Sequence, residues 1–118
     1  MIRLYGIPNC DTMKKARHWL TTRGIEYEFI DYRKSGVDEQ RLRQWMKKVS
    51  WESLLNRRGT TWRKLDGTIK QQMDEARAVR LMLETPSIIK RPVLEQGSAL
   101  YVGFKEESYA EIFTTANR

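Results

Sequence analysis

One cysteine (Cys10) and one histidine (His18) are all that 118 residues hold of these two types. That excludes an internal disulfide and a zinc site built from cysteine and histidine. No apolar run is long enough to cross a bilayer. The chain enters strand-like sequence at once, without the charged-then-apolar opening of a secretory signal. No signal and no disulfide framework together predict a cytoplasmic protein, where thiols stay reduced. There is no glycine-rich phosphate loop and no cluster of ligating side chains, so neither a nucleotide nor a metal is expected. Repeats, low-complexity tracts and linkers are also missing.

What is there describes one folded domain, residues 1–118. Hydrophobic residues make up 40% and charged residues 31%, a balance that supports a core and keeps the surface in water. Lys and Arg number 22 against 15 Asp and Glu, a net charge of +7. That suits an acidic partner or a small anion. The basic residues are spread from Lys14 to Lys64 and beyond, so no dense block marks a nucleic-acid-binding arm. His18 reads as a surface residue.

Periodicity gives the elements. Ile2 to Tyr5 reads as a strand. Asp11 or Thr12 can cap a helix to about Arg23, with Met13, Ala16, Trp19 and Leu20 on one face and Gly24 as its stop. Tyr27 to Tyr32 reads as a second strand, making a βαβ unit with parallel strands. A helical middle follows. Asp38 caps a helix carrying Leu42, Trp45, Met46 and Val49. Ser50 caps a turn carrying Trp51, Leu54 and Leu55. Asn56 to Thr61 reads as a loop. One helix is predicted from about Thr68 to Glu84, with Met73, Ala76, Val79, Arg80 and Leu83 along one side. Pro92 to Glu95 and Leu100 to Val102 form a hairpin around Gly97-Ser98. A last helix covers about Lys105 to Thr115, burying Tyr109, Ile112 and Phe113. The order βαβ, helices, ββα is an α/β, thioredoxin-like fold with a helical insertion, about residues 36–87, between its halves.

Cys10 stands between the first strand and the first helix. Unpaired N–H groups and the positive end of the helix dipole favour negative charge there. A thiol so placed ionises below its usual value of about 8.5 and becomes a nucleophile.

Three stretches carry a resemblance: Tyr5-Gly6-Ile7 with Asn9-Cys10-Asp11-Thr12, then Arg58 and Gly59-Thr60-Thr61-Trp62-Arg63-Lys64-Leu65, then Ile88-Ile89-Lys90-Arg91-Pro92. Their order and spacing resemble the ArsC family, the arsenate reductase superfamily that also holds the Spx and YffB proteins, and most of all its YffB branch. The resemblance implies a cis peptide before Pro92, in a turn beside the cysteine. It implies a thiol-dependent reductase or transferase in which Cys10 is the nucleophile and glutathione supplies the second thiol. Arg58 and Arg91 would then hold an anionic or disulfide substrate, Pro92 would shape the site, and the backbone N–H groups of Asp11 and Thr12 would steady the thiolate. Arg57 is the alternative to Arg58 at a shift of one residue.

The chain also departs from the family. Glutaredoxin-coupled arsenate reductases carry a histidine four residues before the cysteine, where Gly6 stands. They carry a further arginine after the cis-proline strand, where the chain reads Tyr101-Val102-Gly103-Phe104. Both losses count against arsenate reduction. Spx regulators have a second cysteine where Met13 stands, so any resolving thiol must come from outside. Two other readings stay open: an Spx-like regulator docking on RNA polymerase, and a true arsenate reductase.

Overall fold

The computed structural model describes residues 1–116. Four strands form one sheet in the order β2-β1-β3-β4: β1 (Ile2–Gly6), β2 (Glu28–Asp31), β3 (Val93–Gln96) and β4 (Ala99–Val102). β1 runs parallel to β2, while β1–β3 and β3–β4 are antiparallel. This is the thioredoxin-like arrangement the sequence predicts.

Alternation along the strands divides the core in two. The paired residues Leu4 and Leu94 face α1 (Asp11–Thr22) and α8 (Glu106–Ala116), where they pack with Met13, Trp19, Leu20, Tyr109 and Phe113. The next pair, Tyr5 and Val93, faces the opposite way, into a cluster with Trp45, Leu54, Met82 and Ile89. The insertion covers that second face.

Local chemistry sets the helix ends. Met13, Ala16, Trp19 and Leu20 are the buried face of α1. The helix closes on Gly24, whose φ of +68° suits glycine, with the Gly24 and Ile25 amides donating to the carbonyls of Thr21 and Leu20. The cap of α1 is Cys10 itself, not Asp11 or Thr12. Tyr32 does not extend β2; it opens the short helix α2 (Tyr32–Ser35), capped by Asp31, and donates its hydroxyl to the Ile89 carbonyl at 2.8 Å.

Asp38 caps α3 (Glu39–Met46) and Ser50 caps α4 (Trp51–Leu54), as the sequence predicts. α3 ends before Val49. The expected loop at 56–61 is partly helical, because Thr60 opens α5 (Thr60–Arg63). The single helix expected from Thr68 to Glu84 is two: α6 (Gly67–Gln71), capped by Asp66, and α7 (Glu75–Glu84), capped by Asp74. The Asp74 carboxylate accepts the Arg77 amide at 2.9 Å and so starts a new helix. The break also turns the buried face to Ala78, Val79 and Met82 and leaves Ala76 and Arg80 exposed.

One small pairing ties the insertion to the site. Leu55 bridges Ile89 antiparallel, the Asn56 amide donates to the Ile88 carbonyl at 2.8 Å, and the Lys90 amide donates to the Leu54 carbonyl at 2.7 Å. This holds the segment entering Arg58 against the segment entering Arg91.

Candidate active site

Cys10 follows β1 with an extended backbone (φ −127°, ψ 131°) and no oxygen of its own to cap α1. A capping side chain normally accepts from the second or third amide of the helix. The sulfur makes no capping hydrogen bond, although the nearby N–H groups of Met13 and Thr12 favour its thiolate. The sequence reading placed these donors at Asp11 and Thr12. The one-residue difference follows from Cys10 being the cap. The Asp11 side chain is exposed and lines neither cavity described below.

Arg91 comes from the segment before β3, and its peptide bond to Pro92 is cis. Its guanidinium faces both Cys10 and the buried Tyr32. Among the described residues it donates to the Ser87 carbonyl at 2.9 Å, and its Nε is buried without a partner. A buried unpaired donor is costly, so this N–H is available to an acceptor on a ligand.

Partial burial works against a charge on Cys10. It is outweighed by the Met13 amide, then the Arg91 guanidinium, the Thr12 amide and the Arg91 charge, so the thiol is held below its ordinary value. Burial, the largest influence on Tyr32, pushes its hydroxyl up to about 12. It stays a neutral donor beside Arg91.

Cys10 opens onto a cavity of about 770 Å³. Arg58, Lys90, Arg91 and Lys105 contribute to its lining, and no aspartate or glutamate does. Among the described residues none of these four cations is in an ion pair. A second cavity of about 250 Å³ shares Cys10, Asn56 and Arg91 with the first and adds Arg33, Thr60 and Thr61. The arrangement can hold a thiolate, bind an anion and admit a second sulfur compound.

The structure brings Cys10, Thr12, Arg58 and Arg91 together around the larger cavity. It also resolves the choice between neighbours. Arg57 pairs with Glu52 at 3.3 Å and lies near the rings of Trp51 and Trp62, whereas Arg58 reaches the cavity. His18 is exposed. Lys90 and Lys105 were missed by sequence reasoning. The available signal was their position, one beside Arg91-Pro92 and the other just after Gly103-Phe104. Gly103 has a φ of +85° and lies against the Lys90 side chain, so an arginine there would meet backbone strain.

The chain resembles known proteins over nearly its whole length. The ArsC family model matches residues 5–112. A Haemophilus influenzae protein is 42% identical over 113 residues, 96% of this chain and 99% of the relative. The solved YFFB protein is 52% identical with a TM-score of 0.89, covering 94% of this chain and 97% of that one. An arsenate reductase (ArsC) related protein from Brucella melitensis is 53% identical, TM-score 0.80, covering 95% and 93%. More distantly, the global transcriptional regulator Spx 2 of Lactococcus lactis is 27% identical over 91% of this chain and 82% of the regulator. The chain belongs to the ArsC family.

Proposed function

We propose that this ArsC-family member is a thiol-dependent reductase with one working cysteine, Cys10, and glutathione as the external thiol. The Cys10 thiolate attacks one sulfur of a disulfide substrate. The S–S bond breaks, Cys10 keeps one half as a mixed disulfide, and the other half leaves as a thiolate that takes a proton. A glutathione thiolate then attacks the retained half, forms a new disulfide with it and releases Cys10. The substrate half that leaves is reduced and glutathione is oxidised, so the electrons balance. No second cysteine is needed, which fits Met13 in its place.

The observation that carries this reading is the placement of the sulfur: two helix-start amides and Arg91 favour its thiolate, and it opens into a cavity lined by cations and, among the described residues, by no carboxylate. Glutathione carries two carboxylates and a thiol, which match the cations and Cys10. Single-cysteine chemistry of this kind belongs to a reducing compartment, the cytoplasm. Arsenate is a poorer fit, because Gly6 and Gly103 supply neither of the charged groups expected there.

The test is glutathione-coupled turnover of a small mixed disulfide, with mass spectrometry of the protein. Cys10-dependent turnover and a +glutathione adduct on Cys10 are expected. No adduct and no turnover would overturn the reading. The Spx relatives favour a second reading, docking on RNA polymerase, and retention of polymerase subunits by both wild-type and Cys10→Ser protein would support it.

A further inference from the structure

The larger cavity runs along the unpaired edge of the sheet. β4 is one of the two edge strands and bonds only to β3. The Gly103 amide donates to the Pro92 carbonyl at 2.8 Å, which marks Pro92 and Gly103 as a hydrogen-bonded pair. Bonded and non-bonded pairs alternate in an antiparallel ladder. By that alternation Tyr101 and Ala99 turn their backbone groups toward β3, while Leu100 and Val102 turn both N–H and C=O outward. Among the described residues no other backbone hydrogen bond uses the Leu100 or Val102 amide.

Those two residues line the cavity that holds Cys10. Val49 and Ser53 of the insertion and Ser108 and Ile112 of α8 line it as well. The edge therefore borders a trough with helical segments contributing to its walls. From Gly103 back to Leu100 is three residues, about 10 Å of extended chain. Charge then narrows the occupant: Arg58, Lys90, Arg91 and Lys105 line the trough and, among the described residues, no carboxylate does.

We infer that an acidic, extended polypeptide segment docks antiparallel or parallel to β4 as a fifth strand, placing its own cysteine at Cys10. Main-chain bonds to Leu100 and Val102 supply affinity, and alternate side chains meet the apolar wall and the cations. The inference rests on the reductase reading for what Cys10 then does, and it makes a protein disulfide, not glutathione disulfide alone, the substrate.

The test separates docking from chemistry by using Cys10→Ser protein. The probe is an acetylated peptide alternating glutamate and valine, with a central serine in the cysteine position. Amide hydrogen exchange at Leu100 and Val102 is expected to slow roughly tenfold when it binds. N-methylation of alternate peptide residues should weaken binding roughly tenfold in one phase and little in the other, and a lysine-for-glutamate peptide should not bind. Binding that leaves Leu100 and Val102 unprotected, or that ignores N-methylation in both phases, would overturn the proposal. So would no binding at about 1 mM peptide. Loss of turnover in the wild type, with peptide binding intact, would sink the reductase reading alone.

Discussion

A Cβ built on Gly6 would overlap the thioether of Met13, so the two residues are fitted to one another. Both are positions at which the chain departs from the pattern its family resemblance implies. One lacks the histidine of arsenate reductases, the other lacks the second cysteine of Spx. The fully buried Met13 fills the space that any side chain at position 6 would need.

Gly6→Ala should therefore destabilise the protein by about 1–3 kcal/mol through overpacking. Met13→Ala alone should cost about 2–5 kcal/mol through the cavity it leaves. The double variant should be more stable than the sum of the two costs predicts, because each change relieves the other. Urea denaturation of the four proteins measures this; strict additivity would show that the overlap is absorbed elsewhere.

Alkylation of Cys10 should rise with a midpoint below the free-thiol value of about 8.5. Arg91→Gln should move that midpoint upward, since a cation that favours the thiolate is lost. The sign for stability follows. A depressed thiol value means the thiolate stabilises the fold above the ordinary thiol range, and that contribution is lost as pH falls through the depressed value. An unchanged midpoint in Arg91→Gln would leave the two helix amides as the sole cause.

Glu95 lies half-buried beneath the insertion. Its carboxylate accepts from Trp45 Nε1 at 2.7 Å, Tyr5 Oη at 2.8 Å and Arg41 at 3.1 Å. Burial pushes it up, but the Trp45 and Tyr5 hydrogen bonds and Arg41 outweigh burial and hold it below the ordinary carboxylate range. Glu95→Gln should cost about 1–3 kcal/mol at neutral pH. The difference from wild type should shrink on acidification, as pH falls through the depressed value where wild-type Glu95 is itself protonated. A difference constant with pH would contradict the charged network.

Arg57 and Arg58 should separate in their effects. Arg58→Ala should weaken glutathione or acidic-peptide binding with little change in stability. Arg57→Ala should leave binding intact and cost about 0–1 kcal/mol through its exposed pair with Glu52. Isothermal titration and urea denaturation on both variants read this, and equal binding by both would remove Arg58 from the site.

Local signals made much of the fold legible. Met13, Ala16, Trp19 and Leu20 announced α1 and its buried face. Asp38 and Ser50 announced their helices, because a short polar side chain satisfies amides within its own turn. Gly97 announced the hairpin. The break between α6 and α7 was also written locally, in Asp74-Glu75, but apolar spacing across it suggested one helix.

The sequence by itself determined the cysteine at a strand-to-helix junction and the absence of a second thiol, since each is a matter of residue type and near neighbours; the cis peptide before Pro92 was only what the family resemblance implied, and the backbone shows it. Tertiary structure alone decided which arginine of the pair lines the Cys10 cavity, that Lys90 and Lys105 join it, and that Gly6 and Met13 share one space. Those relationships depend on the Leu55–Ile89 bridge and on helices crossing the sheet. Contacts between residues far apart in the chain leave no periodicity for a sequence to show.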